Sequence, residues 1–295
     1  MLTLCKLFGL FCRYLHMLRK QIIWIFTLFI AVTNGNAAGV VPFEMVKGLI
    51  IIEATIDNTT GKFIFDTGAD QTVLNKRKSA QLGAKISTPT GFVDASERIL
   101  EEVTIGKISQ QNLEAFVLDL ANLDNYLGLD IMGILPGSIF SPKYYLIDYQ
   151  AKVIQILDKC PKELRSQYSH TWDISTRHPV PLVQSELNGK KVYFILDSGA
   201  TANYLDASVV KNLSGITYTG NEKEILTAAG SAISKEFILS SLSIKDMTFP
   251  DITFQTLDFT EISSTLNKNV VGILSLNKIS SNEILVDIKS GKIYF

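Results

Sequence analysis

Two nine-residue segments constrain this chain more than anything else in it: Lys62-Phe63-Ile64-Phe65-Asp66-Thr67-Gly68-Ala69-Asp70 and Tyr193-Phe194-Ile195-Leu196-Asp197-Ser198-Gly199-Ala200-Thr201. Each is an apolar run that ends on Asp and continues into a hydroxyl residue, Gly and Ala. A run of this length reads as a buried strand, and the Gly supplies a tight turn that other residues disfavour. The chain therefore drives a strand through a core twice, ending each time on a carboxylate held in a turn. At ordinary Gly frequencies an Asp-(Ser/Thr)-Gly arises by chance in about one chain in ten of this size, and two arise in about one in a hundred. The repeat thus reads as a duplication. Its flanks agree, with Val73-Leu74 and Tyr204-Leu205 followed by the helix-cap residues Asn75 and Asp206.

The duplication extends through most of the chain. Asp66 to Asp197 is an offset of 131, whereas Gly133 to Gly272, Asp148 to Asp287 and Val103 to Leu242 are offsets of 139. The second copy has gained eight residues between its Asp-Ser-Gly and Leu242, an interval in which Ser214-Gly215 and a Gly220-Asn221 loop are the expected sites of extra surface length. Each copy reads as a strand (49–56; 180–187) that turns at Asp57-Asn58 or Asn188-Gly189 into the strand leading to the Asp. A short helix follows (75–82; 206–213), then several strands, an apolar element carrying Gly133 or Gly272, and a final hairpin. The expected organisation is a first copy over 38–157, a linker over 158–178 with few apolar residues, and a second copy over 179–295.

Residues 1–37 read as a targeting segment. Lys6, Arg13, Arg19 and Lys20 are basic, no acid precedes Glu44, and residues 22–32 form an apolar stretch ahead of the small-residue site Gly35-Asn36-Ala37. That stretch suits a signal-peptide core and falls short of the roughly 20 residues of a spanning helix. Cleavage is the expectation and an uncleaved membrane anchor the alternative; either way the rest is exported, to a periplasm or to the outside. At 295 residues, with 46% hydrophobic and 19% charged, the chain is long enough for two lobes. The formal charge of −1, or −5 without the four leader cations, offers no basic patch for nucleic acid. Beyond the leader the only cysteine is Cys160, read as an inert linker thiol without a disulfide. His16, His170 and His178 fall in the leader or linker, so neither a Ser-His pair nor a metal site is expected, and no cofactor is called for. Asn58-Thr59-Thr60 and Asn212-Leu213-Ser214 match glycosylation sequons, which matter only in a eukaryotic secretory route.

Residues 65–70 followed by Thr72-Val73-Leu74 resemble the active-site segment of retropepsins, and residues 197–201 resemble its partner. Ile131-Met132-Gly133-Ile134-Leu135 and Val270-Val271-Gly272-Ile273-Leu274 resemble the hydrophobic-hydrophobic-Gly element of aspartic proteases. Residues 144–156 and 283–294 resemble the closing hairpin of a pepsin-type lobe. The resemblance implies a mainly β, bilobal acid-protease fold: two related barrel-like lobes, short helices, and an active site between the lobes. It implies an aspartic endopeptidase acting as a monomer on peptides or unfolded proteins, with Asp66 and Asp197 as the catalytic dyad. Hydrolysis without a covalent intermediate needs a base to activate water and an acid to protonate the carbonyl oxygen. Two adjoining carboxyls that share one proton supply both, a rule whose standing example is the aspartic proteases themselves.

The family pattern also assigns supporting roles. The Thr67 and Ser198 hydroxyls would lock the two turns together, and the Gly68 and Gly199 amides would donate to the carboxylates. Gly133 and Gly272 would let an apolar segment pass close behind each turn. Asp70 and Thr201 would be placed to contact substrate. Three departures stand out. Ala69 and Ala200 occupy positions where pepsins carry Ser or Thr, which implies a less acidic working range. Ile134 and Ile273 replace the retropepsin Arg that would support Asp70. The flap candidates, 92–97 and 226–231, lack a Gly-rich tip and the pepsin flap Tyr. The alternative from another class is a catalytically silent, pepsin-like peptide-binding protein of the cell envelope. Two buried, mutually repelling carboxylates argue against it.

Overall fold

Alternating and continuous apolar runs become twenty strands in the computed structural model, which describes residues 37–78, 84–88, 91–141, 143–175, 178, 180–227, 230–280 and 282–295. The targeting segment read in 1–37 therefore lies, but for Ala37, outside the described residues. The first half contains β1 (Ala37–Val46), β2 (Leu49–Ile56), β3 (Thr59–Asp66), β4 (Thr72–Asn75), β5 (Ala84–Thr88), β6 (Gly91–Ile105) and β7 (Ile108–Leu118). It continues with α1 (Ala121–Leu127), β8 (Ile131–Pro136), β9 (Tyr144–Asp148) and β10 (Val153–Leu157). Between the halves lie α2 (Lys162–Arg165) and β11 (Thr171–Asp173). The second half contains β12 (Leu182–Leu187), β13 (Lys190–Asp197), β14 (Tyr204–Asp206), α3 (Ala207–Val210), β15 (Ile216–Thr227), β16 (Gly230–Ile244) and β17 (Met247–Leu257). It ends with α4 (Thr260–Leu266), β18 (Val270–Ser275), α5 (Leu276–Ile279), β19 (Glu283–Asp287) and β20 (Lys292–Tyr294).

The two halves match at the offsets read from the sequence. β3 and β13 are 131 apart at both ends, and β6 and β16, β7 and β17, α1 and α4, β8 and β18, and β9 and β19 are each 139 apart at both ends. The added residues fall ahead of Thr227, where β15 has 12 residues against 5 in β5. The Gly220-Asn221 loop expected there is a bulge within β15, where the register jumps from Tyr218↔Phe237 to Glu222↔Lys235. Glu236 holds the bulge, accepting from Thr219 and Asn221 on one oxygen and from Lys223 at 2.6 Å on the other. Local composition suggested a turn because Gly220, at φ +81°, takes a conformation that ordinary strands avoid.

Each half is organised on its Asp-bearing strand. β3 turns from β2 at Asp57 (φ 46°) and Asn58 (φ 68°), and β13 turns from β12 at Asn188 (φ 49°) and Gly189 (φ 71°). Two positive φ values in a two-residue turn give the twist that matches paired strands. β3 then runs parallel to β8, and β13 parallel to β18. Gly133 and Gly272 sit where these parallel strands also meet β4 and β14; a Cβ there would lie 2.0 Å from the Val73 carbonyl oxygen or 2.3 Å from that of Tyr204. Phe63, Phe65, Phe194 and Leu196 on the Asp-bearing strands are fully buried. Asp206 caps α3 by accepting from the amides of Ser208 and Val209, while Asn75 accepts from the Arg77 amide at the start of a single 3₁₀ turn, Lys76–Lys78. The rest of the helix expected over 75–82 lies outside the described residues, and α3 is shorter than the expected 206–213.

In the first half β2, β3, β8, β4, β7 and β6 form a closed six-stranded barrel, because β6 returns to pair with β2. The second half forms a seven-stranded sheet with no such closing ladder among the described residues. The two final hairpins meet: β9 pairs antiparallel with β19, and a run β11-β20-β19-β9-β10-β1 spans both halves. β11 lies within the stretch expected as a linker. Its Trp172 is fully buried, packing edge-on to Phe295 at 4.7 Å, and Lys245 and Lys292 both bind Asp173. The connection is therefore a strand of the shared sheet, a pairing that its own composition does not encode. Cys160 is free and buried beside Leu157, Leu285 and Tyr294. Val41 and Phe43 of β1 are buried, and β1 pairs with β2, so this segment is the first strand of the sheet. Residues Ala38–Phe295 make one compact unit, and no helix among the described residues is long and apolar enough to cross a membrane.

Candidate active site

β3 and β13 deliver Asp66 and Asp197 to one place. Each carboxyl lies against the glycine of the opposite turn: a Cβ on Gly68 would be 2.5 Å from Asp197 Cγ, and one on Gly199 would be 2.3 Å from Asp66 Cγ. The two carboxyls are thus close enough to perturb each other's ionisation. Beneath them, four crossed hydrogen bonds tie the turns. Thr67 Oγ1 donates to the Leu196 carbonyl at 2.9 Å and accepts from the Ser198 amide at 3.0 Å. Ser198 Oγ donates to the Phe65 carbonyl at 2.9 Å and accepts from the Thr67 amide at 3.0 Å. Both hydroxyl residues are buried, so every one of these groups depends on its partner across the seam.

The backbone orients each carboxylate. The Gly68 and Ala69 amides donate to Asp66 Oδ1 at 2.7 and 3.1 Å, and the Gly199 amide donates to Asp197 Oδ1 at 2.6 Å, helped by the Ala200 amide. Burial raises both carboxyls above the ordinary aspartate range, and the Gly68 and Ala69 amides at Asp66 and the Gly199 amide at Asp197 offset part of that. Two buried carboxyls this close disfavour double ionisation, so they titrate as a pair. Below, Tyr145 is buried edge-on against Phe65, and the Tyr149 hydroxyl is buried without a hydrogen-bond partner among the described residues. Burial holds the Tyr149 hydroxyl well above its usual range, and the Asp197 charge adds to that. Both tyrosines lie in the hairpin segment 144–156 singled out by resemblance, without a site role being expected of either.

A cleft of about 1040 Å³ opens over the two carboxyls. Its walls include Ile64, Val73 and Ile134 from the first half and Ile195, Tyr204 and Ile273 at the matching positions of the second. Ile134 and Ile273, the replacements for the retropepsin Arg, are thus apolar cleft wall. Asp70 is exposed in the cleft and Thr201 lies at its counterpart. The expected flap segments fall in the β5–β6 and β15–β16 hairpins, whose turn positions 89–90 and 228–229 lie outside the described residues. β5 lies against α4 of the other half, and β15 lies against α1. Lys47, Tyr126 and Lys223 also line the cleft and carry no motif that marks them in the sequence. Among the described residues no three His, Cys, Asp or Glu side chains are grouped to hold a metal ion.

The aspartyl protease family model matches residues 52–131 and 183–277, more than half of the chain and both carboxylate turns. The chain belongs to the aspartyl protease family. This aspartyl protease also matches the crystal structure of the aspartic proteinase from Irpex lacteus, with 14% identity and a TM-score of 0.50 over 86% of this chain and 96% of that one. At that identity the likeness is one of fold. No curated protein matches the aspartyl protease in sequence. Family and fold together support peptidase activity in general.

Proposed function

We propose that the chain is an exported aspartic endopeptidase in which Asp66 and Asp197 share one proton and activate a water molecule. The observation that carries this reading is the meeting of the two carboxyls, each against the glycine of the other's turn, at the floor of an open cleft. The ionised carboxyl of the pair takes a proton from the water as its oxygen adds to the peptide carbonyl carbon, and the protonated carboxyl gives its proton to the carbonyl oxygen. Asp66 and Asp197 can exchange these roles. The carbon–nitrogen bond then breaks as the leaving nitrogen receives a proton from the dyad. Thr67 and Ser198 act through the carboxyls by fixing the two turns. Gly68, Ala69, Gly199 and Ala200 supply the amides that aim the oxygens. Preorganised donors of this kind cost no rearrangement at the moment of reaction.

The substrate is a peptide or unfolded protein lying extended in the cleft and pairing through its main chain. Asp70 and Thr201, at matching positions of the two walls, would contact it on either side of the dyad. One chain supplies both turns, which favours a monomer. Export rests on the basic, acid-free 1–37 and its apolar stretch; mass spectrometry of the mature protein would find Ala38 at the N-terminus, and an intact leader would make it membrane-anchored instead. The test of the enzymatic reading is hydrolysis of an unfolded protein and its block by a pepstatin-like transition-state mimic. Tight peptide binding without cleavage would favour a silent binding protein. Ala69 and Ala200 leave no hydroxyl to stabilise the carboxylate charge, so the rate should peak above about pH 3, and a more acidic optimum would overturn that point.

A further inference from the structure

Among the described residues three cations line the cleft, Lys47, Lys223 and Lys278. Lys223 is engaged by Glu236 at 2.6 Å in the bulge of β15. Lys47 and Lys278 are exposed, and neither forms an ion pair with any described acid, Asp70 and Glu224 of the same cleft included. One hydrogen bond brings these two lysines together from opposite ends of the chain. Asn277 Nδ2 donates to the Gly48 carbonyl at 2.6 Å, and Lys47 and Lys278 are the chain neighbours of its two partners. The bond continues inward. Asn277 Oδ1 lies 2.8 Å from the Ser275 hydroxyl, which is also 2.7 Å from the Ala200 carbonyl and donates to one or the other. Ser275 is fully buried, and its amide donates at 3.0 Å to Oδ1 of Asn203, which is buried too.

The β1–β2 turn is thereby tied to the turn that carries Asp197, and a Cβ on Gly48 would lie 3.9 Å from the Thr201 Cα and Cβ. Lys47 and Gly48 take φ of 50° and 88°, the two positive values that close a two-residue hairpin and fix where the lysine starts. Lys47 Nζ donates to the Tyr126 carbonyl and sits 4.4 Å over the Tyr126 ring, which leaves two of its three N–H groups for a ligand. The first half has no equivalent: Ser275, Asn277 and Lys278 are matched 139 residues earlier by Pro136, Ser138 and the buried Ile139. The charge exposed on the first half's own turn is Asp70, of the opposite sign.

The geometry points to a carboxylate-recognition subsite at Lys47 and Lys278, beside Thr201. This inference rests on the peptidase reading above and names its substrate: a peptide with a carboxylate on the Thr201 side of the cleaved bond, from a Glu or Asp side chain or from its own C-terminus. Each ammonium is a compact point charge on a flexible stem, and the Tyr126 ring keeps one of them placed. Asp70, at the mated position of the other wall, repels the same group and so sets the direction in which an acidic peptide lies. Asn277 does not line the cleft. It is a positioning residue that acts through Lys47 by holding Gly48.

The experiment compares kcat/KM of the full chain on matched peptides with Glu or Gln at each position around the cleaved bond, each made with a free and an amidated C-terminus. Glu should be preferred over Gln about fivefold at a position on one side only, the scale of an exposed ion pair. That ratio should shrink toward one at about 0.5 M salt. A free end preferred over an amidated one, with Glu and Gln equal, supports the subsite and identifies the chain terminus as its ligand. Lys47→Gln and Lys278→Gln should each lower the preference, and together abolish it. Asn277→Ala should lower it with both lysines present, a change in selectivity that a merely structural role would not produce; an unchanged preference there overturns the positioning role. Equal rates for Glu and Gln and for free and amidated ends overturn the inference and leave the peptidase reading standing, as does a preference unchanged in the double lysine variant. A wild-type chain that cleaves no peptide of the set overturns both. The wild-type and lysine-variant ratios decide the matter even where Asn277→Ala fails to fold.

Discussion

The first half of the molecule is a closed barrel and the second is an open sheet, although both are built from the same elements in the same order. The difference comes down to a few side chains. In the first half Asp57 accepts from the Glu102 amide at 3.1 Å and from Arg98 at 2.9 Å, and its own amide donates to the Glu102 carbonyl, just where β2 meets β6. In the second half the matching residues are Asn188, Ser241 and Phe237. Asn188 turns away to the Asn212 carbonyl, Phe237 goes into the core against Phe254, and the seam keeps one side-chain bond, Ser185 Oγ to the Ser243 carbonyl. A cavity of about 650 Å³ opens there, lined by Ser185, Ser243 and Lys245 among others. Closure is therefore set by a polar clamp at the seam and not by the shared apolar pattern, which both halves possess. The open half is also the one whose aspartate is the less exposed of the two.

The largest expected effect lies at the glycines behind the two turns, where the halves should agree. Gly133→Ala places a methyl 2.0 Å from a backbone oxygen that cannot yield, and Gly272→Ala does so at 2.3 Å. Each should cost about 3 kcal/mol or more, read as a lowered urea midpoint, with the first half hit at least as hard. A midpoint unchanged in either variant would mean that the close approach of the strands is not what these glycines serve.

The dyad offers a sharper contrast. A carboxyl whose folded-state pKa is raised weakens the fold as pH climbs through and above its ordinary value, because the folded state resists the charge. Asp197→Asn should therefore stabilise the protein at neutral pH, with the gain disappearing below about pH 3.8, the ordinary aspartate value. Burial raises Asp66 as well, so Asp66→Asn should show the same trend. No gain from either variant would mean that the seam does not hold the two carboxyls out of water.

Opening the first barrel should cost less. Asp57→Ala leaves the Glu102 amide without its acceptor and should lose about 1–2 kcal/mol, whereas Asn188→Ala should lose no more than about 0.5 kcal/mol. Equal losses would show that the clamp does not close the barrel. The smallest effect belongs to the connection between halves. Asp173, held down to about 2 by Lys245 and then Lys292, gives a contribution fully present above its ordinary value of 3.8 and lost as pH falls through 2. Because Asp173 is largely exposed, Asp173→Asn should cost under about 1 kcal/mol in a melting curve at pH 7 and nothing at pH 2.

The sequence made the two Asp-hydroxyl-Gly turns, both offsets and the crossed hydroxyls legible because each is local or repeats. Three things stayed hidden because they depend on partners distant in the chain. Trp172 looks like linker until β20 pairs with its strand. Thr219, Gly220 and Asn221 look like a loop until Glu236 gathers them into a bulge. Tyr126 looks like an ordinary helix residue until α1 carries it to β15. Site chemistry written in a turn could be read residue by residue, whereas the shape of the cleft could not.

The most direct measurement is hydrolysis of an unfolded protein at mildly acidic pH by the parent, Asp66→Asn and Asp197→Asn, each first verified as folded by its melting curve. Loss of about a thousandfold or more in kcat/KM from either single substitution is the expected result, since two groups that act as a unit fail together. Digestion by Asp66→Asn as fast as by the parent would contradict the shared-proton dyad.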